Sequence, residues 1–299
     1  MSGKKKKKSS WLLNGVIVLI FLVGVGILFY PTVSDLWNNY RNQRLISNYT
    51  DTVETMEPED YSKIWEEAKA YNDQHKVNTI VDAFDEEEGD YILSHPYDQL
   101  LNPTGNEIMG YLEIPKINVR LAIYHGIGPN ALENGCGHIE GTSLPIGGES
   151  THSVISAHRG LPSAKLFTDL DQMEVGDIFY INVLDETLAY KVDQILIVLP
   201  EETESLAIEE GKDLVTLVTC TPYGVNSHRL LVRGEHTEYV PEDDVGDSGV
   251  ILRNPLEGAG RAERLLMIGL LVVMIVLIIL TIAFKISDRR KKKKDNQTP

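Results

Sequence analysis

Two long apolar stretches, each next to a run of basic residues, limit how this 299-residue chain can fold. The first covers residues 11–30 and follows a lysine run at 4–8, and the second covers residues 265–284 and precedes a basic run that ends at 294. About 20 apolar residues in a helix are long enough to cross the roughly 30 Å hydrocarbon core of a bilayer. The sequence therefore predicts two transmembrane helices, with a domain between them that folds in water.

The basic flanks also predict the orientation of the chain. Positive residues beside a span tend to stay in the cytoplasm. The tails 1–10 and 285–299 are both strongly basic, so we expect both termini in the cytoplasm and the middle of the chain on the extracellular face of the cell membrane. A cleaved signal peptide has a shorter apolar region, about 7–15 residues, and a small-residue cleavage site. Residues 11–30 lack an Ala-x-Ala pattern after them, so we interpret them as an uncleaved anchor.

The segment between the two spans is acidic. Residues 31–260 hold 41 Asp and Glu against 14 Lys and Arg. Nucleic-acid binding depends on Lys and Arg that neutralise phosphates, so nucleic acid is not an expected partner. The same segment contains both cysteines of the chain, Cys136 and Cys220. Outside the cell two cysteines can form a disulfide, or one can be a free catalytic thiol, and the count alone leaves both open.

Three parts of this segment differ in texture from the rest. Residues 31–79 show apolar positions at helical spacing among many charges, which predicts a helical stalk or cover, and Pro58 divides it into two helices. Residues 80–103 are poor in apolar side chains and acidic, which is typical of a mobile connection. Residues 237–264 are acidic and rich in Gly and Pro, and we expect a linker to the second span.

The remaining part, residues 104–236, consists of short apolar or alternating runs separated by Gly and Pro. These runs are 111–114, 121–124, 153–156, 178–184, 187–197, 214–219 and 229–234. Short strands at such spacing, with turn residues between them, favour an all-β sandwich or barrel. We therefore predict a mainly β domain that forms a closed or nearly closed barrel.

Cys220 lies where the predicted strand 214–219 meets the turn 221–224. Arg229 begins the next predicted strand, so we expect the two strands to pair across the turn and to bring the guanidinium beside the thiol. A neighbouring cation favours the thiolate and can bind an oxyanion. On residue type alone, a buried structural cysteine and a surface arginine remain alternatives.

Several histidines are candidates for an acid or base beside this thiol. His158 follows a strand-like run and lies, like Cys220, at a junction of strand and loop. His138, His152 and His228 compete with it, and spacing does not rank them. The chain has no Cys-x-x-Cys pair and no short His-x-His group, which are common in metal sites. We therefore expect no metal and no cofactor.

The sequence around Cys220 resembles that of sortases. Residues 216–220, Thr-Leu-Val-Thr-Cys, match the T-L-x-T-C signature of this family, and residues 221–234 resemble its pilus-building class C branch. Further class C blocks are matched at 110–115, 141–145 and 156–162. The resemblance extends over about residues 60–235, and a second span near the C-terminus is also typical of class C. It implies a closed sortase-type β barrel at 104–236, with N-terminal helices and a lid, flanked by two transmembrane helices.

The resemblance also implies residue roles. Cys220 would be the nucleophile, His158 the general acid and base, and Arg229 the cation that binds the oxyanion or the substrate. Cys136, which we assign to a loop, is expected to be free, because a disulfide with it would inactivate Cys220.

The implied reaction is a transpeptidation. A class C sortase cleaves an LPxTG-like motif after threonine, holds the acyl group as a thioester, and transfers it to a lysine amine of another pilin. The expected partners are pilin subunits and the membrane bilayer of a Gram-positive bacterium. Two alternatives are a sortase that attaches surface proteins to the cell wall precursor and a non-catalytic membrane scaffold with a sortase-like barrel.

The lid is where this chain departs from class C. Those enzymes usually cover the cysteine with an Asp-Pro-aromatic triplet, and the corresponding residues here are Asp82, Ala83 and Phe84. Proline restricts the backbone, so Ala83 predicts a looser lid. Asp82 and Phe84 are the expected lid residues within the segment 80–103.

Overall fold

The computed structural model describes residues 7–74 and 97–239, together with the four helical positions 269, 271, 274 and 278. The expected lid residues, Asp82 and Phe84, lie outside these ranges. The second predicted span is also outside the described residues except at the four positions, and so is most of the predicted linker. Within the described part, two helices precede a β domain.

The N-terminal region contains α1, Lys7–Glu54, and α2, Pro58–Gln74. The predicted boundary between the apolar stretch and the helical stalk is at residue 31. α1 continues through that point and is 48 residues long. Among the described residues, α1 is the one helix long and apolar enough to cross a membrane, with a mean hydropathy of 1.9 in its apolar window. α2 begins at Pro58, the residue that was predicted to separate two helices, because proline is well tolerated in a first helical turn.

The prediction of a closed, mainly β barrel is confirmed. Between residues 97 and 239 the chain forms β1 Ile108–Ile114, β2 Val119–His125, the short helix α3 Pro129–Asn134, β3 Cys136–His138, β4 Thr151–Ser156, β5 Ile178–Val183, β6 Glu186–Val198, β7 Asp213–Thr221 and β8 His228–Thr237. The eight strands described here close in the order β1-β2-β3-β4-β7-β8-β6-β5. The pairs β2–β3 and β4–β7 are parallel, and the others are antiparallel.

The assignment of Cys136 to a loop is wrong. Cys136 begins β3, which pairs with β2 on one side and β4 on the other. A three-residue strand is too short to show a periodic pattern. Gly137 permits this tight arrangement, since a Cβ there would lie 2.2 Å from the carbonyl oxygen of Gly126. Cys136 and Cys220 are not joined in a disulfide.

β7 is buried on both faces. Val215 and Leu217 belong to the core inside the barrel. On the opposite face, a second group of apolar side chains packs outside the barrel wall, and we call it the outer cluster: Ile139, Val154, Leu206, Val218 and Leu231. Burial on both faces explains why apolar residues stand in adjacent pairs along β7, at 214–215 and 217–218, and do not alternate with polar ones.

The second half of α1 packs against the barrel through buried side chains. Tyr49 accepts a hydrogen bond from the backbone N–H of Leu184 at 2.7 Å and donates one to the carbonyl of Met109 at 2.8 Å. Asn42 accepts from the N–H of Ala122 at 3.2 Å. These bonds satisfy backbone groups that would otherwise be buried without partners, and they fix α1 on β1 and β2.

The chain on either side of residues 75–96 is attached to the same region of the barrel. The side chain of Asn72, in α2, accepts from the N–H of Leu144 at 2.7 Å and donates to its carbonyl at 3.2 Å. The hydroxyl of Tyr97 is 2.8 Å from Nδ1 of His138, at the end of β3, and accepts from the N–H of Gly126 at 3.1 Å. Both attachments lie near the loop that follows β3.

Candidate functional site

The pairing of β7 with β8 brings Cys220 beside Arg229. The two residues are direct Cα partners in the antiparallel register, as the spacing in the sequence predicts. Both are largely buried, with 6% of Cys220 and 7% of Arg229 exposed. Nη1 of Arg229 donates to the carbonyls of Asn226 at 3.1 Å and His228 at 3.2 Å. These two bonds hold the guanidinium at the turn between the strands, on the same face as Cys220.

The parallel pairing of β4 with β7 brings in His158. Beyond the end of β4, the N–H of Ala157 donates to the carbonyl of Val218 at 3.2 Å. The hydroxyl of Thr219 donates to the carbonyl of Ala157 at 2.7 Å. Hydrogen bonding between the two segments therefore extends to Ala157, one residue before His158, and to Thr219, one residue before Cys220. His158 follows the end of β4 and Cys220 lies one residue before the end of β7, so both residues are at the same end of the barrel.

The surroundings of His158 favour its neutral form. Burial lowers its pKa below the ordinary value, and the carboxylate of Glu133 partly opposes this shift. The backbone at this position is held by the N–H of Phe167, which donates to the His158 carbonyl at 3.1 Å. A neutral imidazole near pH 7 can accept a proton from a thiol or an amine.

Two of the competing histidines are bonded elsewhere. His138 is fully buried, with Tyr97 on Nδ1 and the carbonyl of Ser143 on Nε2 at 2.8 Å, and burial lowers its pKa to about 4. His228 is at the start of β8, with Nδ1 2.9 Å from the hydroxyl of Ser227. His138 is thus a structural residue, and His228 lies next to the arginine of the site.

His152, the third competitor, belongs to a network that holds the loop between β6 and β7, residues 199–212. Its Nδ1 is 2.9 Å from the carbonyl of Ala207 in this loop. Two strands away, Arg233 donates to Glu209 of the loop at 2.6 Å and to both carboxylate oxygens of Asp193 at 2.6 and 3.1 Å. The loop is therefore fixed to the outer face of the barrel at two points.

This loop and the outer cluster line a shallow apolar depression that reaches Arg229. Besides members of the outer cluster, its walls include Val198, Leu199 and Pro200. This surface was not predicted from the sequence. The signal was present in β7, where consecutive apolar residues show that something covers the outside of the barrel.

Cys136 has a different environment from Cys220. It is fully buried, its thiol donates to the carbonyl of Ala122 at 3.3 Å, and burial raises its pKa well above the ordinary value. A thiol with a raised pKa is a poor nucleophile, which leaves Cys220 as the chemically suitable cysteine. Among residues 7–74 and 97–239, no three or more His, Cys, Asp or Glu side chains are grouped so as to hold a metal ion.

The chain is similar to known sortases in sequence and fold. A family model described as Sortase domain matches residues 112–237. Sortase C of Streptococcus pneumoniae has 45% identity and a TM-score of 0.61, over 66% of this chain and 97% of that one. Sortase C1 of Streptococcus agalactiae has 46% identity and a TM-score of 0.58, over 66% of this chain and 100% of that one.

Curated relatives are more distant. Sortase A of Streptococcus agalactiae is 29% identical over 147 residues, which are 48% of this chain and 58% of that protein. The match to Sortase D of Bacillus subtilis, at 30% identity, likewise spans 58% of the relative. The solved structures, by contrast, are covered almost completely at more than 40% identity. The chain therefore belongs to the sortase family, whose members are cysteine transpeptidases.

Proposed function

We propose that this sortase builds covalent pili. It cleaves an LPxTG-like sorting motif after threonine and joins the acyl group to a lysine amine of another pilin. The proposal rests on one observation, the register of β7 with its two neighbours, which gives Cys220 an arginine partner on β8 and a histidine at the matching end of β4.

In the first half-reaction Cys220 is the nucleophile. Its proton passes to the neutral imidazole of His158, and the thiolate attacks the threonine carbonyl. Arg229 stabilises the negative oxygen of the tetrahedral intermediate. When the intermediate collapses, the C–N bond breaks, the imidazolium returns the proton to the leaving amine, and a thioester remains on Cys220.

In the second half-reaction a lysine amine attacks the thioester. His158 is neutral again and accepts the proton that the amine loses. The collapse of this intermediate forms an isopeptide bond and releases the thiolate of Cys220. The lowered pKa of His158 supports this role, because a proton acceptor must be neutral when the amine arrives.

The surface beside the site supports a motif with apolar side chains. The depression next to Arg229 is lined mainly by aliphatic residues and a proline, with Glu202 and Thr203 also in its wall, and its apolar part suits the leucine and proline of such a motif. The similar Sortase C of Streptococcus pneumoniae is described in terms of pilin substrate specificity. The pilin as donor and acceptor is our extension of that likeness to this chain.

We further propose a two-pass membrane protein with both termini in the cytoplasm. Residues 11–30 and 265–284 would be the spans, between basic tails at 1–10 and 285–299. Segments 31–79, 80–103, 104–236 and 237–264 would be the helical cover, the lid and connection, the catalytic barrel and the linker. Fusion of a reporter enzyme to each terminus and to residue 240 would test this order, and an extracellular signal at either terminus would contradict it.

The lid remains part of the proposal through sequence resemblance alone. If Asp82 and Phe84 help to cover Cys220, Phe84→Ala increases the rate at which a thiol reagent labels Cys220. An unchanged labelling rate removes Phe84 from this role.

The proposed chemistry is tested with the full chain in detergent. Incubation with an LPxTG-type peptide is expected to produce an adduct of the acyl mass on Cys220, detectable by mass spectrometry, and Cys220→Ala prevents it. A lysine peptide from a pilin is then expected to remove the adduct as an isopeptide. Removal only by the amine of a cell wall precursor would support the cell wall alternative, and the absence of any adduct would support a scaffold.

A further inference from the structure

α1 fixes the distance between the apolar stretch and the barrel. It runs without a break from that stretch to its contacts with the loop after His158, residues 159–168. Asp35 accepts from the N–H of Lys165 at 2.7 Å, and Asn38 donates to the carbonyl of Ser163 at 2.7 Å. Since a helix rises about 1.5 Å per residue, these contacts lie about 7 and 12 Å beyond residue 30.

These two distances beyond residue 30 correspond to the headgroup region at the outer edge of a bilayer. A hydrocarbon core of about 30 Å within a total thickness of about 40–45 Å leaves roughly 5–8 Å of headgroups on each side. If the apolar stretch 11–30 spans the core, Lys165 and Ser163 lie at or just above the headgroups. α1 stays helical through Pro31, so the length along the helix between the apolar stretch and these contacts is set, unlike that of a flexible linker.

The loop 159–168 also contacts the turn between β7 and β8, residues 222–227. Nη1 of Arg159 donates to the hydroxyl of Thr221 at 3.2 Å. The ring of Tyr223 lies directly over Gly160, where an added Cβ would be 3.0 Å from the ring. The turn next to Cys220 is therefore stacked on the loop that α1 holds near the membrane.

Apolar side chains at this end of the molecule are exposed. Tyr223 is 60% and Val225 68% exposed, and both lie in the turn. On α1, just beyond the apolar stretch, Trp37 is 66% exposed and its ring is 6.2 Å from that of Tyr40. Trp and Tyr are enriched where a membrane protein meets the lipid headgroups. Trp37 is seven residues beyond residue 30, about 10 Å along α1, and the turn packs on the loop that α1 contacts.

We propose that the end of the barrel that carries Cys220 rests on the outer surface of the bilayer that α1 crosses, with Trp37, Tyr223 and Val225 in contact with lipid headgroups. This inference rests on the membrane anchoring proposed above. Its consequence is that the acyl donor reaches Cys220 along the membrane surface, so that a sorting motif held close to the bilayer is the substrate presented best.

The contact is tested by the depth of a fluorescent label. The full chain with Cys220→Ala is reconstituted in nanodiscs of equimolar phosphatidylcholine and phosphatidylglycerol, and an environment-sensitive dye is attached to Val225→Cys. The matched control is Glu210→Cys, an exposed position just before the opposite end of β7. From Asp213 to Cys220 the strand extends about 23 Å, at about 3.3 Å per residue. Cys136 is buried and is not expected to react. The parent protein with Cys220→Ala and no added cysteine, treated with the same dye, checks this.

A nitroxide placed on the lipid headgroup is expected to quench the dye at position 225 and to leave the dye at 210 unchanged. Equal quenching at both positions, or none at 225 in protein that remains in the nanodiscs, would overturn the membrane contact while leaving the anchor in place. Protein that fails to enter nanodiscs would overturn the anchoring itself, and the contact with it. Circular dichroism of both labelled variants shows whether the fold is retained.

Discussion

Replacement of Arg229 is the most direct test of the proposed site. Its Nη1 is fixed by two backbone carbonyls, at 3.1 and 3.2 Å, so the guanidinium has a set position beside Cys220. The loss of one oxyanion donor in other enzymes lowers the rate about 10²–10³-fold, which corresponds to about 3–4 kcal/mol of transition-state stabilisation. We expect Arg229→Ala to reduce the rate of acyl-enzyme formation on this scale.

Arg229→Lys separates charge from geometry. Lysine retains the positive charge but not the planar group that can donate to the turn and to an oxyanion together. A hydrogen bond to a charged group contributes about 1.5–3 kcal/mol, so we expect a loss of about tenfold or more in the same rate. The assay is the single-turnover formation of the thioester at saturating LPxTG-type peptide, followed by quenching and mass spectrometry.

Arg233→Ala is the matched control on the same strand. Arg233 lies four residues further along β8, pairs with Asp193 and Glu209, and holds the loop between β6 and β7. Its removal is expected to raise the peptide concentration needed for half-maximal rate, with little change in the saturating rate. The reasoning would be refuted if both Arg229 variants acylate at the wild-type rate, or if Arg233→Ala lowers the saturating rate as much as Arg229→Ala.

Three further predictions concern stability and thiol chemistry. Tyr49→Phe removes a hydroxyl bonded to two buried backbone groups, so the free energy of unfolding is expected to fall by about 2 kcal/mol in denaturant titration. A smaller loss is expected for Tyr61→Phe, because the hydroxyl of Tyr61, in α2, donates to Asp185 in a solvent-exposed hydrogen bond. The pKa of His138 is about 4, below the value of about 6.5 expected in the unfolded chain. The unfolded chain therefore binds more protons as the pH falls, and the free energy of unfolding should decrease by about 2 kcal/mol between pH 7 and pH 5. His138→Gln should reduce this loss. In native protein a thiol reagent should modify Cys220 alone and Cys136 only after unfolding, because Cys136 is fully buried; modification of both in the native state would contradict this.

The barrel could be predicted from the sequence because its strands are short and separated by turn residues. β3 could not, since three residues show no period and the strand depends on the close approach of Gly137 to the chain at Gly126. α3, Pro129–Asn134, was missed for a similar reason, as six residues are too few for a helical pattern. Local pattern therefore predicts elements that are regular over several residues and fails for elements held by tertiary contacts.

Local pattern likewise predicts some residues of the site and not others. Cys220 and Arg229 are nine residues apart on strands joined by a turn, so their pairing could be predicted from spacing. His158 is 62 residues from Cys220, and a parallel pairing over that separation cannot be inferred from periodicity. Hydrogen bonds also distinguish the histidines, because both ring nitrogens of His138 and of His152 are bonded to groups away from the site. Only the resemblance to sortases favoured His158 in advance.

The closure of the barrel restricts how an extended peptide can be recognised. β8, which carries Arg229, is hydrogen-bonded to β7 on one side and to β6 on the other over nearly its whole length, so it offers no edge beside the site to which an incoming chain could add itself as a further strand. A sorting peptide must then be distinguished by its side chains and by the loops around the site. The selectivity of such an enzyme is therefore expected to change with the loop at 199–212, while the barrel beneath it stays the same.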